Sequence, residues 1–268
     1  MPFQRVNGIV IHHRVEGNAD GPTLVFANSL GTDFRIWDAV VERLAGAYRI
    51  VRYDKRGHGL SEATPAPYAM DTHVDDLKGL IDHLGVAGPL VIGLSIGGMI
   101  AQGLAHRHPL LAKGLVLMDT AHRIGTTELW DQRIAAIEKD GIGSISEQIL
   151  ERWFTPQFRR PANPNFVGYS NMLLRTPLPG YLGSSAALRD ADYTEATAKI
   201  DLPVLCVVGD QDGSTPPDLM RSTADLIAGS RFEIVKDAGH LPCIEQPEVT
   251  AGLISDFAAE VFSTATGR

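Results

Sequence analysis

A serine flanked by small residues, Gly93-Leu94-Ser95-Ile96-Gly97, follows the apolar run Leu90 to Gly93 and precedes a helical pattern in which Ile100, Leu104 and Ala105 face inward. G-x-S-x-G between a strand and a helix is a nucleophile elbow. The turn forces the serine into an unfavourable backbone region, and only flanking residues without a Cβ let strand and helix approach that closely. The strain aims Oγ out of the sheet, over a helix N-terminus whose dipole stabilises negative charge. Small-residue turns are common, and it is the strand before, the helix after and Gly98 following that favour a nucleophile over a plain turn serine.

A serine hydroxyl is inert near neutral pH unless a base takes its proton. Among nine histidines, His12, His13, His73, His83, His106, His108 and His122 fall in strand or helix patterns or at their edges and read as surface or satisfied core residues; His58 sits in a glycine loop. His240 differs. The stretch "IVKDAGHLPCIEQPE" ends a strand and sets His240 between a small-residue turn and a helix start, near the C-terminus. It completes the order serine, acid, histidine that accompanies such an elbow. The acid should follow the run Val204 to Val208, in "GDQDGSTPP". Asp210, within two residues of the strand's end, reads as a turn cap. Asp212 lies further out, where a carboxylate can reach imidazole Nδ1, and is preferred. Asp119, after the run ending at Met118, is the fallback.

Attack on an ester-type carbonyl creates an oxyanion, which needs two donors. The N–H of Ile96, directly after the nucleophile, is one. The second must come from a loop after an early strand. In "FANSLGTDFRIWD" the run Thr23 to Ala27 stops at Asn28, Ser29, Leu30 and Gly31, so the N–H of Leu30 is the candidate, with Gly31 turning the chain away. Ser29 is not a second nucleophile, because no elbow pattern or following helix activates it.

Short apolar runs alternating with helical patterns predict an α/β fold with a mostly parallel sheet of eight strands and helices on both faces. Strands are expected at Ile9 to Val15, Thr23 to Ala27, Arg49 to Tyr53, Leu90 to Gly93, Gly114 to Met118, Val204 to Val208 and Arg231 to Val235, with Asn7-Gly8 turning a hairpin before the first of these. "DTHVDDLKGLIDHLG" places Val74, Leu77, Leu80, Ile81 and Leu84 on one stripe, with Asp71 as the expected cap and a stop at Gly85. From about Ala121 to Leu188 the rhythm breaks into helical segments separated by "TPQFRRPANPN" and "RTPLPG". The expected organisation is a core of residues 1–120 and 189–268 with a helical cap at 121–188, a lid over the site.

Hydrophobic residues make up 44% and charged residues 21% of the 268 positions, and no apolar run approaches the ~18 residues of a membrane span. The net charge of −8 speaks against nucleic acid and anionic membrane surfaces, but not against a small anionic substrate held by one arginine. Without a charged and then apolar leader, a cytoplasmic location is expected. Cys206 and Cys243 lack metal-ligand spacing and read as free thiols. Nothing in the sequence sets an oligomeric state.

Two further blocks, "YDKRGHGLS" and "DAGHLPCIEQPE", together with the elbow, resemble the α/β-hydrolase superfamily over essentially the whole chain. Within it, "VFANSLGTDFRIWD", "RYDKRGHGLSEA", "GLSIGGMIAQ" and "LERWFTPQFR" look like the 3-oxoadipate enol-lactonases of bacterial aromatic catabolism. That resemblance implies a ring-opening lactonase needing neither metal nor organic cofactor, acting through Ser95, His240 and Asp212. Most of the superfamily carries His-Gly where this chain has Asn28-Ser29, a change the enol-lactonases share; it bears on loop support rather than on the backbone donor. The implied substrate carries a carboxylate, and burying it without a partner would cost several kcal/mol. The cap offers Arg123, Arg133, Arg152, Arg159, Arg160 and Arg175. In "ELWDQRIAAIEKDG", Trp130, Arg133, Ile134 and Ile137 share one helical face, making Arg133 the candidate anchor and Trp130 and Trp153 candidate pocket walls; the plainer reading of Arg133 is a snorkelling surface arginine. Carboxylesterases, carbon-carbon bond hydrolases and cofactor-free perhydrolases need the same triad, and a receptor could retain it without turnover. On this reading Leu30→Pro, which deletes an oxyanion donor, should remove most activity while Ser29→Ala preserves a substantial part; kcat of the two variants on one ester measures the difference.

Overall fold

The computed structural model describes residues 2–263. The apolar runs form β1 (Phe3–Val6), β2 (Ile9–Gly17), β3 (Thr23–Ala27), β4 (Arg49–Tyr53), β5 (Leu90–Leu94), β6 (Gly114–Met118), β7 (Val204–Gly209) and β8 (Arg231–Val235). They make one sheet in the order β1-β2-β4-β3-β5-β6-β7-β8. β2 is antiparallel to β1 and to β4, and the other pairings are parallel. Asn7 and Gly8, at φ 48° and 81°, form the two-residue turn between β1 and β2. β5, β6 and β7 are buried at every position, as strands covered on both faces must be, whereas β1 and β8 at the edges are partly exposed.

Helices α1 (Asp38–Leu44), α2 (Met70–His83) and α3 (Ile96–Arg107) connect the first strands, and α1 follows a 3₁₀ turn, Phe34–Trp37. Between β6 and β7 lie α4 (Thr127–Asp140), α5 (Ser146–Trp153), α6 (Pro164–Leu174), α7 (Leu178–Asp190) and α8 (Thr194–Thr197); α9 (Pro217–Leu226), α10 (Pro242–Glu245) and α11 (Pro247–Ser263) complete the chain. α2 buries Val74, Leu77, Leu80 and Ile81 as its periodicity predicts. Its cap differs from expectation. Met70 buries its side chain at the first helical position, so Asp71 falls inside the first turn, and Ala69 at the cap position offers no side-chain bond. Among the described residues, no helix is long and apolar enough to cross a membrane.

The strand order reverses between β3 and β5, because the chain leaves β3 toward β4 on one side and later returns to β5 on the other. Loops after such neighbours diverge and open a crevice at their carboxyl ends. Ala27 and Gly93 are partners in register, so the loop starting at Asn28 and the turn containing Ser95 emerge side by side. The helix after the elbow must then pass close to β3. A Cβ on Gly97 would sit 2.2 Å from the carbonyl oxygen of Ala27, and one on Gly93 2.2 Å from that of Gly97, so neither position admits a side chain.

The segment between β6 and β7 meets the rest of the chain through a comparable backbone contact. A Cβ on Gly180 in α7 would lie 1.9 Å from the carbonyl oxygen of Gly57, in the loop after β4. Gly180→Ala is therefore expected to destabilise by roughly 1–3 kcal/mol through overpacking, a fall of a few degrees or more in thermal midpoint. An unchanged midpoint in calorimetry would show that the two backbones can separate freely.

Candidate active site

Ser95 takes φ 60° and ψ −121°, a backbone region that a residue with a Cβ rarely occupies. Neighbouring hydrogen bonds hold it there. Its N–H donates to Met118 O at 2.9 Å, and its carbonyl accepts from Gly98 N at 2.9 Å, Met99 N at 3.2 Å and Thr120 Oγ1 at 2.6 Å. The end of β6 thus clamps the turn between β5 and α3. Ser95 is 6% exposed, at the N-terminal end of α3.

His240 and Asp212 come from the loops after β8 and β7. His240 Nδ1 donates to Asp212 Oδ2 at 2.9 Å, which fixes the ring and leaves Nε2 as the basic nitrogen. Asp212 also accepts from Ser214 N at 2.7 Å, Thr215 N at 3.1 Å and Thr215 Oγ1 at 2.7 Å. Burial opposes its charge, but the His240 imidazole, the Thr215 hydroxyl and the Ser214 N–H outweigh it and hold the carboxyl below its ordinary value. Asp210 instead accepts from Ala238 N at 3.3 Å and caps a turn. Asp119 is buried, at φ 44°, and accepts from Gly209 N at 2.9 Å. Burial above all, and then the charge of Asp212, push Asp119 well above the ordinary carboxyl range. Two carboxyls in one dry site oppose each other's ionisation, and Asp119 is the one of the pair whose carboxyl is pushed up. Asp119, Asp212 and His240 have potential metal-ligand atoms within 4.8 Å of one another. Four donors already fill the Asp212 oxygens, which makes this donor set an acid–imidazole pair in preference to a cation site.

The loop after β3 is braced from below. Asn28 Nδ2 donates to Thr32 O, and Thr32 Oγ1 donates to Ser29 O at 2.8 Å. The Lys55 amine reaches the same Ser29 carbonyl, and Gly31 N–H donates to His58 Nε2 at 3.0 Å. His58 Nδ1 in turn donates to Arg56 O at 3.1 Å. Burial, with the Lys55 charge second, keeps His58 far below its ordinary value, so it is the neutral acceptor this bond needs. The Lys55 amine is likewise pushed well down by burial. Leu30 N–H has no protein acceptor among the described residues, and Ile96 N–H, first in α3, is free as helix N-termini leave it. Lys55 and His58 were not assigned a role from sequence. The signal available was a lysine and a histidine inside the "YDKRGHGLS" block, where solvent-facing loop residues are the ordinary expectation.

These groups meet in a cavity of ≈80 Å³ lined by Ser29, Leu30, Ser95 and His240 from the strand-end loops, and by Trp130, Arg133, Ile149, Arg152, Trp153 and Tyr181 from α4, α5 and α7. Arg133, Trp130 and Trp153, expected as carboxylate anchor and pocket walls, all line this cavity. Trp130 and Trp153 are each 4% exposed. Arg133 donates from Nη2 to Tyr181 Oη at 2.8 Å and lies 5.1 Å over the Trp130 ring, while its Nε is buried without a partner. Among the described residues no carboxylate pairs with it. Of the other arginines weighed, only Arg152 also lines the cavity; Arg123 pairs with Asp192 and Arg159 with Glu151. A larger hollow of ≈730 Å³ is lined by His12, Asp33, Asp54 and Arg175 and contains no triad residue. Its close pair, His12 Nδ1 to Asp54 Oδ2 at 2.7 Å, belongs to a structural knot, since Asp54 also accepts from the N–H groups of Phe34 and Leu60.

The sequence profile of the alpha/beta hydrolase fold family matches residues 22–247. The chain is 31% identical over 240 residues to 3-oxoadipate enol-lactonase 2 of Acinetobacter baylyi, covering 90% of each protein. The crystal structure of the enol-lactonase from Burkholderia xenovorans LB400 superposes with a TM-score of 0.93 at 33% identity, covering 96% of this chain and 100% of that one. A thermophilic esterase from Thermogutta terrifontis, solved with malate bound, superposes with a TM-score of 0.89 at 28% identity, covering 97% of each.

The bracing of the loop after β3 has a measurable consequence. Lys55→Met removes the amine that holds the Ser29 carbonyl while keeping the side chain's length, and a donor displaced by a fraction of an ångström loses catalytic value quickly. A fall of about tenfold in kcat with little change in KM is expected; lowered thermal stability at unchanged kcat would make Lys55 a support of the fold alone.

Proposed function

The chain belongs to the alpha/beta hydrolase fold family, and on that premise we propose that it opens 3-oxoadipate enol-lactone to 3-oxoadipate, in the cytoplasmic catabolism of aromatic compounds. The observation that carries this reading is Arg133, a part-buried guanidinium without a counter-ion that shares a small cavity with Ser95 and His240. An unpaired cation beside a nucleophile suits a substrate with a carboxylate at one end and an ester-type carbonyl at the other. The likeness to enol-lactonases in sequence and in structure supports the same substrate.

In the proposed mechanism Arg133 takes the substrate carboxylate, with Trp130 and Trp153 as apolar walls around the ring. Ser95 Oγ attacks the lactone carbonyl carbon as its proton passes to His240 Nε2, and Asp212 stabilises the imidazolium. The oxyanion is met by the N–H groups of Leu30 and Ile96. Its collapse breaks the ring C–O bond, and the enol oxygen takes the proton from His240 while remaining tethered in the acyl-enzyme. Water, deprotonated by His240, attacks the acyl carbon and releases Ser95. The freed enol tautomerises to a ketone, a poor nucleophile for closing the ring, so reversal is opposed. The helices over the cavity serve as a lid that excludes bulk water.

Loss of the lactone's ultraviolet absorbance in the presence of purified protein, and its absence with Ser95→Ala, tests the assignment. Rapid turnover of aryl esters with none on the lactone would replace it with a carboxylesterase. Arg133→Ala should lower kcat/KM on the anionic lactone by about ten- to hundredfold, the worth of a charge-assisted bond, and much less on a neutral lactone. Equal losses on both would remove Arg133 from the carboxylate site.

A further inference from the structure

Ser29 lines the same cavity as Ser95 and His240, is 1% exposed, and its Oγ has no hydrogen-bond partner among the described residues. A hydroxyl taken out of water without a partner is destabilising, so its retention asks what it bonds when the cavity is filled. Its backbone cannot swing to find one, because the Ser29 carbonyl is held by the Lys55 amine and by Thr32 Oγ1 at 2.8 Å. Covalent geometry then limits where the hydroxyl can act. Four bonds separate Ser29 Oγ from the nitrogen of Leu30, so the two stay within about 5 Å of each other in any rotamer. Both residues line the same small cavity, so an acceptor bound to the Leu30 N–H is within reach of the hydroxyl in the rotamers that turn it to that side. Of the neighbouring polar atoms, His240 Nδ1 is engaged by Asp212 at 2.9 Å and Arg133 Nη2 by Tyr181 at 2.8 Å, while His240 Nε2 is the base for Ser95 and Arg133 Nε is a donor open to the substrate. The atom that arrives beside Leu30 and gains charge during the reaction is the carbonyl oxygen of the ester or lactone.

We propose that the Ser29 hydroxyl is a third donor of the oxyanion hole, converging with the N–H groups of Leu30 and Ile96 on the substrate carbonyl oxygen. The assignment rests on the Ser95, His240, Asp212 triad. Ser29 keeps its proton throughout and forms no covalent bond, which separates it from a nucleophile. The bond strengthens as the oxygen becomes an anion, so its value falls on kcat in preference to KM. This revises the expectation from sequence, in which the side chain at position 29 was dispensable and only the following N–H mattered.

The test compares Ser29→Ala and Ser29→Cys with wild type on the enol-lactone and on phenyl acetate, together with inhibition by an aryl trifluoromethyl ketone, which Ser95 would convert into a tetrahedral oxyanion. Cysteine keeps the side chain's bulk but is a weak donor. Both variants should lose roughly ten- to hundredfold in kcat, hold KM within about twofold, and bind the ketone more weakly by a similar factor. Unchanged kcat in Ser29→Ala overturns the proposal, as does full activity in Ser29→Cys, which would make the residue a packing group. Ser95→Ala run in parallel separates the two assignments. If it is inactive while Ser29→Ala is unimpaired, only the Ser29 role fails; if it turns over normally, the triad reading fails and takes the Ser29 role with it.

Discussion

The closeness of α3 to β3 is the contact on which the site depends. The Ala27 carbonyl oxygen lies where a Cβ on Gly97 would be, only 2.2 Å from that position. Because β3 and β5 are neighbours at the point where strand order reverses, this contact sets the loop after one strand against the elbow after the other. The turn that carries Ser95 and the candidate oxyanion donors, the N–H groups of Leu30 and Ile96, are thereby placed by backbone, which has no rotamers to lose. The strained φ of Ser95 persists because β6 grips the turn through Met118 and Thr120.

Around that frame, the same lack of water that strengthens hydrogen bonds decides which charges survive. Asp212 is held below the ordinary carboxyl value because His240 and three further donors surround it, while Asp119, with one backbone donor, is pushed well above it by burial. His58 is kept neutral and can accept from Gly31, which a protonated ring could not do. Buried polar groups here act mostly as scaffolding for other polar groups: Asn28, Thr32, Lys55 and His58 converge on the loop that presents Leu30. Arg133 breaks that pattern, with a charge that no carboxylate among the described residues answers.

Much of this was legible in the chain. Strand runs, the elbow and the segment around His240 carry their signals locally, in apolar periodicity and in small residues at fixed offsets, so Ser95 and His240 stand out as candidates from short stretches. Asp212 over Asp210 followed from distance past a strand end, and Arg133 from its sharing a helical face with Trp130. The Asp71 cap was misjudged because a first turn is set by which side chain buries, here Met70, rather than by the nearest polar residue. Lys55 and His58 could not be placed, since their partners lie 23 to 27 positions earlier in the chain.

The sequence by itself thus determined the sheet and singled out Ser95, Asp212 and His240 as candidates, because hydrophobic period and Cβ-free turns act over a few residues. The tertiary structure decided how burial shifts the ionisable groups, which arginines stand beside Ser95 without a carboxylate partner among the described residues, and that the Ser29 hydroxyl has no partner among them. Those are properties of an environment assembled from distant segments, where desolvation and the nearest opposite charge compete at ångström range. No local pattern of residues encodes that competition.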